Sequence, residues 1–192
     1  MPGYNAANCE KKLTEIQSKE DKEKCVDLNY MVFTYGKFHN NFVNQIIHVI
    51  FVPIIIYTYY VMLCYVCTWK FDNELPLYGD SISFGIVPSF ILCTAYMMVD
   101  WKIGLGVLSW WGPFTVLGNA DFKLNQDALY FGMTHFWFMV SLNAFAWIMQ
   151  FIGHGIFEKR APAIITNLKF GLLAPFFVTF ETMNYLFGYH EG

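Results

Sequence analysis

Residues 147–160 read Trp-Ile-Met-Gln-Phe-Ile-Gly-His-Gly-Ile-Phe-Glu-Lys-Arg and close an uncharged stretch of 30 residues, Ala128 to Phe157. Gln150, His154 and Glu158 are spaced four apart, so at helical pitch they lie on one stripe of an otherwise apolar helix. Polar groups are costly to bury in an apolar environment unless they bind something. We therefore predict that this stripe forms one wall of a metal site.

The composition indicates a membrane protein. Of the 192 residues, 56% are hydrophobic and 14% are charged, whereas an ordinary soluble domain carries roughly 25% charged residues. A monomeric soluble domain of this size could not hide so much apolar surface. The formal net charge is −3 and no basic patch is interleaved with aromatic residues, which argues against a nucleic acid partner.

Uncharged stretches predict an all-α, polytopic membrane helical bundle of about four spans, because a span needs about 20 apolar residues. These stretches are Ile46 to Cys67, Ser81 to Val99, Ile103 to Ala120 and Ala128 to Phe157. A further apolar segment, Phe170 to Phe180, has 11 residues. It is too short to cross, so we predict that it is re-entrant or interfacial.

The distribution of charged residues predicts two parts of the chain and the orientation of the chain in the membrane. Residues 1–30 alternate lysine with acidic residues and predict a polar, flexible cytoplasmic tail. Residues 31–192 are predicted to form a single membrane-embedded catalytic domain. Basic residues that follow residue 30 are concentrated on the side of the termini, which predicts that both termini are cytoplasmic; these are Lys37, Lys102, Lys159, Arg160 and Lys169, against Lys70 and Lys123 on the other side.

Three histidines share one predicted depth. His39, His48 and His154 lie at or near ends of apolar segments that face the cytoplasm, and imidazole suits iron, zinc and copper. His39 and His48 are nine residues apart, which places them on opposite faces of a continuous helix. They can share an ion only if a helix starts between them, and Asn40-Asn41 offers such a start.

Polar neighbours accompany these histidines. Tyr35 precedes His39 by four residues and Asn44 precedes His48 by four, so each could orient an imidazole ring. Structural roles without metal binding stay open, in which the histidines are interfacial anchors or form hydrogen bonds to neighbouring helices. His135 lies about 30 Å from His154 along a helix, so we predict a structural role for it in the other leaflet.

Three blocks of the sequence resemble the 2-hydroxy fatty acid dioxygenase family of small membrane proteins from the endoplasmic reticulum and bacteria. They are Tyr35-x3-His39-x4-Asn44-x3-His48-x2-Phe51-x-Pro53, then Trp147-x2-Gln150-Phe-x-Gly-His154-x2-Phe157-Glu158-x3-Pro162-Ala163, and Pro175-x4-Phe180-Glu181. The second block is the most specific. The similarity covers roughly residues 30 to 188.

The resemblance implies iron(II)-dependent α-oxidation, in which a 2-hydroxy long-chain fatty acid reacts with O2 and loses its carboxyl carbon, as in phytosphingosine breakdown. It also implies an endoplasmic reticulum membrane location and contact with membrane lipid. A 2-hydroxy carboxylate can chelate a metal through two oxygens. The expected ligands are His39, His48 and His154. Glu158 is expected to be catalytic, and the supporting residues are Tyr35, Asn44, Gln150 and Glu181.

Two other classes of function stay open. A haem-binding membrane electron carrier would need histidine pairs at both leaflets, and His135 is the one candidate on the far side. A non-catalytic lipid-binding scaffold would use its histidines as interfacial anchors and hold no stoichiometric iron. No nicotinamide or flavin motif is visible in the sequence.

Overall fold

A computed structural model of the chain describes residues 41–159 and 169–188, and most of these residues are helical. The helices in this part of the chain are α1 (Phe42–Val66), α2 (Ile86–Val99), α3 (Trp101–Asn125), α4 (His135–Ile152) and α5 (Lys169–Phe187). A π-helical turn, Gly153–Glu158, continues α4. The predicted tail, residues 1–30, lies outside the described residues.

Two small antiparallel hairpins interrupt the helices, so the all-α prediction is wrong in these places. Strand β1 (Thr68–Leu75) pairs with β2 (Gly79–Ser83), and β3 (Leu129–Tyr130) pairs with β4 (Met133–Thr134). The second hairpin turns at Phe131 and Gly132, whose φ angles are 51° and 80°. Positive φ angles lie outside the range of a regular strand, so the chain turns at these two residues.

Two segments are long and apolar enough to cross a membrane, namely α1 and the continuous segment His135–Glu158. Both expose large apolar side chains; Ile50 of α1 is 50% exposed and Phe151 of α4 is 45% exposed. An extensive exposed apolar surface favours a lipid environment over water. The part of the chain that the structure describes therefore supports membrane association, with two segments that could span the bilayer.

The other two predicted spans are not supported. In the stretch Ser81 to Val99, residues 81–83 belong to β2 and the helix is only 14 residues long, which is shorter than a span requires. Helix α3 has 25 residues and continues through Pro113 to Asn125. It is long enough to span but does not reach the hydropathy of α1.

Helices α2, α3 and α5 pack around an aromatic core. The predicted short segment Phe170 to Phe180 lies within α5, which is 19 residues long. Bulky side chains from all three helices are buried together, and their close packing stabilises this part of the fold; the cluster is Cys93, Tyr96, Ile103, Val107, Trp111, Phe176, Phe177 and Phe180.

Helices α1 and α4 pack against each other in antiparallel orientation. The rings of Phe51 and Phe145 lie 5.8 Å apart, and the Asn143 amide donates hydrogen bonds to the Ile55 carbonyl (3.1 Å) and the Thr58 hydroxyl (2.8 Å). Such side-chain bonds tie apolar helices together where hydrophobic driving force is weak. The antiparallel arrangement brings the start of α1 beside the end of α4.

Candidate metal centre

Two histidines, one from each segment that could cross a membrane, meet at this end of the molecule. The ring centroids of His48 on α1 and His154 in the π-helical turn are 4.9 Å apart, and the rings are edge to face at 81°. Both side chains are buried, with 5% and 6% exposure. Nitrogen-to-metal bonds of imidazole are about 2.0–2.1 Å for a divalent ion such as zinc, so this separation is short enough for both rings to bind one ion.

The ring of His48 is held by the backbone of its own helix. Its Nδ1 lies 2.9 Å from the Asn44 carbonyl oxygen, and a carbonyl can only accept a hydrogen bond. Nδ1 therefore carries the proton and Nε2 is the basic nitrogen. A metal-binding histidine typically has this arrangement, in which the second ring nitrogen donates to a carbonyl or carboxylate.

His154 lies in a turn wider than an α-helical turn. Residues Gly153–Glu158 are π-helical, and the Lys159 N–H closes the turn on the His154 carbonyl. Single π-helical turns inserted in α-helices are frequent at functional sites. The predicted polar stripe of Gln150, His154 and Glu158 assumed α-helical pitch throughout, and that assumption is wrong after Ile152.

Glu158 contacts the start of α1. Its Oε1 accepts hydrogen bonds from the backbone N–H of Asn41 (2.9 Å) and from Nδ2 of Asn44 (3.3 Å). Asn41 is the N-cap of α1, and its side chain accepts bonds from the N–H groups of Val43 and Asn44. The sequence indicated this helix start, but it did not indicate that Glu158 would bind it.

Asn44 sits between the two helices. It is fully buried, and its amide oxygen packs against Gly153 so closely that a Cβ on residue 153 would overlap it. Gly155, on the other side of His154, faces open space. Of the two glycines that flank His154 in the sequence, only Gly153 permits the close approach of a neighbouring helix.

Gln150 is the second buried amide at this end. It is 5% exposed, and its Nε2 has no hydrogen-bond partner among the described residues. Glu181 is half-buried on α5. One turn further along α5, the ring of Tyr185 lies 6.4 Å from that of Phe42, which places Glu181 at the same end of the molecule as the histidine pair.

The described residues contain no group of three His, Cys, Asp or Glu side chains positioned to hold a metal ion. Tyr35 and His39, the remaining candidates, lie outside residues 41–159 and 169–188. The structure thus brings His48 and His154 together, while the predicted third ligand stays a prediction. The imidazole nitrogens of His48 and His154 suit metal ions that bind nitrogen ligands, and iron(II) is one of these ions.

His135 lies at the opposite end of α4. The Tyr65 hydroxyl and His135 Nδ1 are 2.8 Å apart, and His135 Nε2 lies 3.4 Å from Oδ2 of Asp121. Oδ2 of Asp121 also accepts a hydrogen bond from the Tyr57 hydroxyl at 2.8 Å. This network joins α1, α3 and α4, so His135 has structural partners far from the histidine pair.

Comparisons with known proteins agree with one another. Residues 26–185 match the Mpo1-like family, described as 2-hydroxy-palmitic acid dioxygenase Mpo1-like. A Saccharomyces cerevisiae protein named 2-hydroxy-palmitic acid dioxygenase MPO1 is 33% identical over 163 residues, which cover 83% of this chain and 81% of the yeast protein. No solved structure matches the chain.

Proposed function

The chain belongs to the Mpo1-like family, and from this we propose that it is an iron(II)-dependent dioxygenase that shortens 2-hydroxy long-chain fatty acids by one carbon. The observation that carries the proposal is the contact between two buried imidazoles, His48 and His154, at one end of the two spanning helices. The yeast relative is named for action on 2-hydroxy-palmitic acid, which supports a fatty acid substrate.

In the proposed reaction, R–CH(OH)–COOH and O2 give R–COOH, CO2 and H2O. The bond between C1 and C2 breaks, C2 becomes the new carboxyl carbon, and the substrate supplies all four electrons that reduce O2. No nicotinamide or flavin is needed. Iron(II), when bound, would supply the centre at which O2 is reduced.

The residues of the chain would hold the ion and the acid. His48, oriented by the Asn44 carbonyl, and His154 are the proposed ligands in the described part of the chain. His39 is the proposed third ligand; it precedes the anchored Asn41 by two residues in the sequence. The buried amide of Gln150 has an N–H available to donate to the substrate carboxylate.

The acyl chain has an apolar surface beside the histidine pair. Ile50, two residues from His48, is half exposed, and so are Ile148 and Phe151 on α4. These side chains face the environment that a membrane would fill, so a lipid substrate could approach without crossing water. The apolar surroundings would also keep bulk water away from the reacting carbon.

The geometry of the histidine pair argues against the two alternative functions, the haem-binding electron carrier and the non-catalytic scaffold. A haem between His48 and His154 would need a gap for a planar macrocycle, and the rings are in edge-to-face contact instead. A non-catalytic scaffold would not need two buried imidazoles in contact, because burying polar rings is costly. Both arguments favour a small ion. We further propose an endoplasmic reticulum location, which the family resemblance implies, with cytoplasmic termini. With two spans, four basic residues beyond residue 30 lie on the side of the termini, against three on the other; they are Lys37, Lys159, Arg160 and Lys169, against Lys70, Lys102 and Lys123.

The test is anaerobic reconstitution of the purified full-length protein with iron(II), followed by addition of O2 and 2-hydroxypalmitic acid. We expect the acid one carbon shorter, with one O2 consumed per product, detected by mass spectrometry and an oxygen electrode. An absorption spectrum with a Soret band would favour the haem carrier. Absence of both stoichiometric iron and product would favour the scaffold.

A further inference from the structure

A single carboxylate ties the two histidine-bearing segments together. Glu158, at the end of the π-helical turn, accepts bonds from the Asn41 backbone N–H and the Asn44 side chain in the first turn of α1. These contacts join residues more than 110 positions apart in the sequence. A carboxylate is stabilised at a helix N-terminus because the unpaired N–H groups there carry partial positive charge.

Asn44 connects this carboxylate to both imidazoles. Its backbone carbonyl receives the Nδ1–H of His48, its Nδ2 donates to Glu158, and its amide oxygen packs on Gly153, the residue before His154. A shift of the Asn44 side chain would therefore disturb the spacing between the two helices. A shift of its backbone would rotate the ring of His48.

We infer that Glu158 is a positioning residue, whose carboxylate clamps the start of α1 to the π-helical turn and thereby sets the spacing of His48 and His154. This assigns Glu158 a role different from that of an iron ligand or a proton-transferring group. Hydrogen bonds to an ionised acceptor are roughly twice as strong as neutral ones, which suits a contact that must hold two helices in register. The inference rests on the proposed function only where dioxygenase activity is used to test it.

A pair of substitutions separates the roles. Glu158→Gln keeps an oxygen that can accept from Asn41 and Asn44 but removes the charge, whereas Glu158→Ala removes the acceptor. We expect Glu158→Gln to retain wild-type iron content, a wild-type pH–rate profile and activity within a few-fold of wild type. We expect Glu158→Ala to lose activity by about a hundredfold, the size of effect that a small misplacement of reacting groups produces.

The opposite pattern would overturn the inference. If Glu158 binds iron or moves a proton, Glu158→Gln will lose iron or shift the pH–rate profile as strongly as Glu158→Ala. Equal activity of all three proteins would also overturn it, because then no clamp is needed.

A second experiment needs neither iron nor substrate. Melting temperatures of metal-free wild type, Glu158→Ala, Asn44→Ala and the double variant form a cycle that measures the coupling between the two side chains. We expect the double variant to lose less than the sum of the two single losses, because the bond between Asn44 and Glu158 is removed only once. Additive losses would contradict the clamp. If the coupling is present and the wild-type enzyme is inactive, the proposed function fails and the clamp stands.

Discussion

Asn44 and Gly153 pack so closely that no side chain fits on residue 153. We therefore expect Gly153→Ala to push α1 away from the π-helical turn, which lowers both the melting temperature and the iron content. Gly155→Ala is the matched control, because a Cβ at that position meets open space. Thermal unfolding in detergent and metal analysis measure the two effects. Equal behaviour of the two variants would contradict the close packing.

The histidine pair is expected to be essential for metal binding. His48→Ala and His154→Ala should each abolish dioxygenase activity and reduce bound iron below half of the wild-type amount, because each removes one proposed ligand. Membrane insertion should be unchanged, since the apolar character of both spans is retained. Membrane fractionation and metal analysis check both points. Full activity of His154→Ala would dismiss the proposed iron centre.

Gln150 is expected to contact the substrate. Gln150→Leu should raise KM for the 2-hydroxy acid by about ten- to a hundredfold, since a hydrogen bond to a charged group contributes about 1.5–3 kcal/mol. It should not lower the melting temperature, because the Nε2 that it removes has no partner among the described residues.

Asn143→Leu is the control for Gln150→Leu. Asn143 lies on the same helix, and its amide donates to Ile55 and Thr58. We expect this variant to lower the melting temperature and leave KM unchanged. If KM is unchanged in Gln150→Leu as well, Gln150 does not contact the acid.

The network around His135 is expected to affect stability and not catalysis. Tyr57→Phe removes the bond to Asp121 and should lower the free energy of unfolding by about 1.5–3 kcal/mol at most. Iron content and kcat should stay at wild-type values, because Tyr57 follows His48 by nine residues on α1, about 14 Å along the helix. A large fall in kcat at unchanged iron content would show that the two ends are coupled.

The ion pair on the first hairpin predicts a pH effect on stability. Nζ of Lys123 lies 2.5 Å from Oδ1 of Asp80, and the hydrogen bond and charge of Lys123 lower the pKa of this carboxyl below its usual value. A lowered folded-state pKa stabilises the fold above the unfolded-state pKa, about 3.9, and the stabilisation disappears as pH falls through the folded-state pKa.

Comparison with Asp80→Asn tests this pH effect. We expect the variant to melt below wild type at neutral pH and to match it at pH values well below about 4, where both proteins lack the charge. The difference should shrink at high salt because the pair is exposed. A difference that is constant down to the lowest pH would show that the ion pair is not its cause.

Local patterns in the sequence were sufficient to predict the first and last of the four apolar segments. Long uncharged stretches around His48 and His154 predicted apolar helices, because hydropathy depends only on the residues within the stretch. The Asn40-Asn41 pair predicted the start of α1, and Asn41 is its N-cap. The same method predicted four spans where the described residues support two. A count of uncharged residues does not detect that residues 81–83 belong to a strand, or that α3 is less apolar than α1.

Sequence alone also predicted that His39, His48 and His154 share one depth; the structure brings His48 and His154 together, and the depth of His39 stays a prediction. The motifs around these histidines were specific enough to indicate the family. Only the tertiary structure decided that Glu158 binds the start of α1, that Asn44 orients His48 through its backbone, and that Gly153 and not Gly155 permits the close approach. These contacts join residues that are far apart in the chain. Their geometry depends on how two helices pack and on a π-helical turn, whose hydrogen bonds between residues five apart cannot be read from residue spacing.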